Sequence, residues 1–169
     1  MTVNLYSFVG MYAKALDTAA HLLAKGTEHA VTTGGNEADA LEWRLIDDMA
    51  PVAFQLMVVI NFTRLWPARA AGLPLPPEVT AEMDVAEFKA AIADAKAWLA
   101  LLTPDQFAAR DDVPFTTALG PGMEPTMPLG QWITGFATTN IYFHLSTTYG
   151  ILRSKGVQIG KVDLFAGGL

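Results

Sequence analysis

Between Trp132 and Leu152 the chain carries no Asp, Glu, Lys or Arg, a run long enough to cross a bilayer at roughly 20 residues. The same run holds Thr134, Thr138, Thr139, Asn140, His144, Ser146, Thr147 and Thr148. So many hydrogen-bonding side chains facing lipid would be prohibitively costly, and the segment reads as a helix buried inside protein. Such a helix needs covering on most of its sides, so the remaining chain must supply helices of comparable length.

It supplies three. From Asn4, the residues Leu5, Phe8, Val9, Tyr12, Leu16, Ala19 and Leu23 recur at steps of three and four, with Lys14, Asp17, His21, Lys25 and Glu28 on the opposite face. This first helix pauses at Gly26 or continues towards Ala30, and a turn at 32–36 follows. A second helix is expected from Glu37 to Trp66, with Leu41, Leu45, Asp48, Val52, Gln55, Val59, Phe62 and Trp66 as its seam and a bend at Pro51. Trp66-Pro67 and the Gly72–Pro77 run then make a stiff connection. The third helix opens on the capping box Asp84-x-x-Glu87 and aligns Val85, Phe88, Ile92, Ala95 and Leu99. From Val113 to Met127 an alternating pattern interrupted by Gly120-Pro121-Gly122 predicts a small hairpin or flap. The fourth helix spans Leu129 to Lys155, apolar nearly all round, and beyond Gly156 the tail reads as extended and frayed. The expected fold is all-α: one domain over residues 1–169, a helical bundle with a flap between its third and fourth helices.

Composition narrows the chemistry. The chain has no cysteine and three histidines, which removes disulfides, thiolate ligands and cysteine nucleophiles. Its formal charge of −6, with no basic cluster, argues against a nucleic-acid partner. The amino terminus lacks the basic head and cleavage site of a signal peptide, so neither export nor membrane insertion is expected and the protein reads as cytoplasmic. Gly156–Lys161 is one residue short of a P-loop and Val162 stands where Ser or Thr would hold magnesium. No Gly-x-Ser-x-Gly elbow occurs.

The chemistry that remains sits in the seams. Asp48 and Gln55 on the second helix, and Asn140 and His144 on the fourth, stand where periodicity demands apolar residues, with Thr147 and Tyr149 beside them. Each such group buried without a partner costs about 1–3 kcal/mol. They form either a self-satisfied network, in which Arg44 pairs with Asp48 one turn on, or a polar pocket between the second and fourth helices. His144, Asp48 and Gln55 are the candidate ligands of a divalent metal, zinc or nickel. Thr148 replaces the residue that would complete His-x-x-x-His, so the set is incomplete and a small molecule is the favoured occupant.

The segment Asn140–Lys161 resembles the hallmark of an uncharacterised, mostly bacterial family in the DinB-like four-helix superfamily. Arg44-Leu-Ile-Asp-Asp48-Met-Ala-Pro51 with Gln55 is similar to its second signature, and Ala68-Arg69-Ala-Ala-Gly72 before a proline-rich step to its third. The resemblance implies an up-down-down-up left-handed bundle and homodimers. It also implies, in several members, a divalent metal held by three histidines and used to activate a thiol. Of those ligands this chain retains His144, with Gln55 or Asp48 on the second helix.

The leading expectation is therefore a DinB-like homodimer with a small-molecule pocket. The alternatives are a metal-dependent hydrolase or thiol-dependent transferase in which His144 is ligand or base and Asp48 orients it, and a dimeric interaction module presenting residues such as Trp43 or Trp98. The flap at 113–127 is a candidate lid.

Overall fold

A computed structural model of the chain describes residues 4–168. It is mostly helical, with one two-stranded sheet. Helix α1, Ser7–Thr32, buries Val9, Tyr12, Leu16, Ala19 and Leu23, the stripe that the periodicity predicts. It runs through Gly26 without pausing, and the missing Cβ there lets Leu152 pack close against the helix.

The second helix departs from expectation. It breaks into α2, Asp39–Glu42, and α3, Val52–Ala71, joined by an irregular segment over 43–51. Pro51 does not bend a continuous helix. It has no N–H to give the preceding turn and its ring disfavours helical geometry at residue 50, so it stands extended at the start of α3 (φ −73°, ψ 175°). Leu45 and Asp48 are consequently exposed on the irregular segment instead of lying in a helical seam. Arg44 donates to the Met49 carbonyl at 2.8 Å, not to Asp48. At its other end α3 overruns the expected boundary: Pro67 is buried within the helix, and Gly72, in the left-handed region at φ 69°, closes it.

The connection to α4 is pinned by Asn61, whose amide exchanges two 2.9 Å hydrogen bonds with the backbone of Val79. Helix α4, Val85–Leu99, starts on the predicted capping box, with both Asp84–Glu87 bonds at 2.8 Å. The predicted hairpin is present: β1, Pro114–Thr116, pairs antiparallel with β2, Thr126–Pro128, placing Phe115 opposite Met127.

The last rod is composite: α5, Leu129–Gln131, then a π-helical turn at Trp132–Ala137, then α6, Thr138–Ser154. In the wide turn the Thr138 N–H reaches the Ile133 carbonyl, which also accepts from the Thr138 hydroxyl at 2.7 Å and the Tyr12 hydroxyl at 3.4 Å. Burial pushes the Tyr12 phenol well above its usual range, so it stays a neutral donor. Contrary to expectation, α6 is not apolar all round, since Tyr142 and Phe143 face outward.

One core joins these elements. Helix α1 packs on α3, α4 and α6, and α3 against α6 is the most extensive pairing. The tail does not fray after Gly156. It forms a short 3₁₀ turn at Lys161–Phe165 held to α1 by His21–Asp163 at 2.6 Å and by the Thr18 hydroxyl on the Leu164 carbonyl at 3.3 Å. No helix among the described residues is long and apolar enough to cross a membrane.

Candidate functional site

The α3–α6 pairing brings Gln55, in the first turn of α3, against His144, in the middle of α6. Pro51 makes this possible: with the chain extended before α3, the Ala50 carbonyl accepts the Gln55 Nε2–H at 3.0 Å. That bond fixes the amide orientation and turns Oε1 towards His144 Nδ1, 2.6 Å away. An amide oxygen has no hydrogen, so Nδ1 must donate and the lone pair falls on Nε2. Gln55 is 3% exposed, and both ends of its amide are thereby satisfied. His144 is half-buried, and that burial holds its imidazole below the usual histidine range. It is neutral at pH 7, and its Nε2 has no hydrogen-bond partner among the described residues.

Aromatic rings flank this imidazole. Phe54 and Phe143 stand edge-on to the imidazole at centroid distances of 6.1 and 5.2 Å, and both remain substantially exposed. The arrangement is a neutral imidazole between two hydrophobic edges at the surface. It can take a hydrogen from a hydroxyl, amine or thiol, as acceptor or general base.

The other expected site residues do not join it. Asp48 is exposed on the 43–51 segment, because the helix on which it was placed begins only at Val52. The amide of Asn140 donates to the Phe136 carbonyl at 2.9 Å, and the hydroxyls of Thr147 and Thr148 donate to the carbonyls of Phe143 and His144 at 2.8 and 2.9 Å. Each of the three is spent on the preceding turn of its own rod. Tyr149 is half-buried against the core. The sequence reading missed Ala50, Phe54 and Phe143. The signal for Ala50 was a polar side chain in the first turn after a proline, from which it can reach back to the last non-helical carbonyl.

The donor set does not fit a divalent metal. Among the described residues no three His, Asp or Glu side chains converge. His144 Nδ1 and Gln55 Oε1 bond each other, and Thr148 turns its hydroxyl onto backbone. One free imidazole nitrogen is too few for a stable site.

Residues 5–165 match the model of a family described as a domain of unknown function, DUF1993. A crystal structure of a DinB family member protein from Shewanella denitrificans superposes with a TM-score of 0.85 at 25% identity, covering 95% of this chain and 90% of that one. No curated protein matches.

Proposed function

We propose, for a chain that belongs to the DUF1993 family and shares the DinB-like fold, that it binds a small hydrogen-bond-donating molecule at His144 without a metal. The reading rests on one observation: Gln55, itself locked by Ala50, holds His144 Nδ1–H and leaves Nε2 as a neutral, unpartnered acceptor on a ring flanked by Phe54 and Phe143. A dedicated orienting group is what a catalytic or binding imidazole requires, whereas a merely structural histidine is expected to use both nitrogens. On this reading the four long helices form the up-down-down-up bundle of the DinB-like proteins, and the protein works in the cytoplasm. A bound substrate would place its proton on Nε2, the step that a hydrolase or a thiol transferase both need.

The test is a screen of small alcohols, amines and thiols by NMR, following the His144 ring signals. Ligands that shift Nε2 in the wild type, and whose effect on the backbone amides of Phe54 and Phe143 is lost in His144→Ala, support the reading. A His144→Ala protein that loses thermal stability but keeps every ligand response would overturn it.

A second reading follows from the exposure of Phe54 and Phe143, at 38% and 60%, both in ring contact with His144. Aromatic residues grouped around one surface site suit a contact between two copies of the chain, and a homodimer would bury them. Light scattering that gives a monomer at high concentration counts against that reading.

A further inference from the structure

We propose a second binding site, separate from His144, at the carboxyl end of α3, and that its ligand is a small monocarboxylate with an aromatic body. Trp66 lies eleven residues beyond Gln55 on α3, about 16 Å along the axis. A cleft of about 300 Å³ opens there, lined by Phe62, Leu65, Trp66, Arg69, Glu78 and Phe136 and by residues 117–119 of the hairpin loop. That volume is at the lower bound for ligand cavities.

Two residues lining this cleft carry donors without partners, Arg69 and Trp66, the latter with its N–H shut inside the wall. The Trp66 indole N–H is buried and has no acceptor among the described residues, a deficit that costs about 1–3 kcal/mol until something supplies one. Trp132, stacked on Trp66 at 5.3 Å, is by contrast satisfied, donating to the Phe115 carbonyl at 2.8 Å. Arg69 is half-buried, with its guanidinium 4.8 Å from the Trp66 ring centroid and 5.8 Å from that of Phe115. The guanidinium makes no hydrogen bond or ion pair among the described residues. Glu78 supports its charge through space without bonding it, while burial opposes that charge.

A planar cation fixed between aromatic faces with its donors free is suited to a carboxylate, which it can grip bidentately. The remaining wall selects the rest of the ligand. Phe136 stands edge-on to Trp66 and Trp132 at 5.6 and 5.4 Å, and Phe62 lies 5.8 Å from Phe136, so the rings hold one another in place and a further ring can join them. Glu78 in the cleft and the chain's charge of −6 disfavour ligands with more than one negative charge.

The experiment titrates the full chain with phenylacetate and its neutral isostere phenylacetamide, reading tryptophan fluorescence and the Trp66 indole N–H resonance. Saturable phenylacetate binding that moves this resonance is expected, with phenylacetamide about tenfold weaker or more. Arg69→Gln weakens phenylacetate by a similar factor, Glu78→Gln tightens it, and His144→Ala leaves it unchanged. Equal affinity for acid and amide, or no saturable binding of the acid, overturns the proposal. So does loss of binding in His144→Ala, which would place the acid at the other site. If Arg69→Gln does not fold, the acid and amide comparison on the wild type decides alone.

Discussion

The imidazole of His21 and the carboxylate of Asp163 meet at 2.6 Å, fastening the end of the chain to the middle of α1. Asp163 also accepts the Gly160 N–H at 2.6 Å and so closes its own turn. The Gly160 bond first, and the His21 bond after it, hold the Asp163 carboxyl below the usual carboxylate range. A lowered folded value means that the contribution is complete above the ordinary carboxylate value and is lost as pH falls through the lowered one. Asp163→Ala is expected to speed amide exchange over 160–166 with little change in melting temperature, because the pair lies near the surface. Hydrogen exchange read by mass spectrometry checks this, and unchanged exchange there would remove the fastening role.

Replacing Gln55 by Ala should cost about 1–3 kcal/mol, since it strips partners from the Ala50 carbonyl and from His144 Nδ1. Gln55→Glu should instead move the His144 pKa upward by setting a negative charge beside Nδ1–H. Nitrogen-15 shifts of the ring report both the tautomer and the titration. A wild-type ring protonated at Nε2 would contradict the assigned geometry.

Burial of His144 lowers its folded pKa, so between that value and the ordinary histidine value near 6.5 the unfolded chain binds the extra proton. Stability should be flat above pH 7 and decline as the solution is acidified through that window. Urea midpoints at half-unit intervals from pH 5 to 8 measure the slope, which should shrink in His144→Gln.

Protein purified without a histidine tag and analysed by mass spectrometry for metals is expected to contain far less than one zinc or nickel per chain. The expectation follows from donors already spent on one another. A stoichiometric metal would require the Gln55–His144 bond to be broken in solution.

A Cβ on Gly26 would stand 2.8 Å from Leu152 Cδ2. Gly26→Val should therefore lower stability by about 1–3 kcal/mol through overpacking, despite removing a flexible residue from a helix. A thermal melt at or above that of the wild type would mean that the two helices part easily.

The long elements were legible because periodicity and caps are local. The stripe of α1, the Asp84–Glu87 box and the hairpin around Gly120-Pro121-Gly122 needed no knowledge of neighbours. The break at Pro51 was harder, since a proline within a heptad pattern is compatible with both a bent helix and a new start. Reading it as a bend carried Asp48 into the seam and supplied a carboxylate that the site does not have. Gln55 and His144 were legible as misplaced polar residues, but their hydrogen bond joins α3 to α6 and depends on how those helices pair. Asn140 and Thr147 gave the same signal and merely satisfy their own rod, because polar side chains in buried helices commonly bond the carbonyl four residues back. The π turn left no mark in the sequence.

That wide turn sets the register between the two ends of the α3–α6 interface. Gln55 and Trp66, eleven residues apart on α3, fall within about 20° of one another around the axis. Trp132 and His144 are twelve apart, which in an unbroken α-helix would splay them by roughly 120°. One extra residue absorbed in the turn brings them back into line, so that the Trp66–Trp132 stack and the Gln55–His144 bond are successive rungs of one ladder. Excising a single residue from 133–137 would set Trp132 and His144 eleven apart in an ordinary α-helix and keep both rungs in line, at the cost of the wide turn that closes on the Ile133 carbonyl.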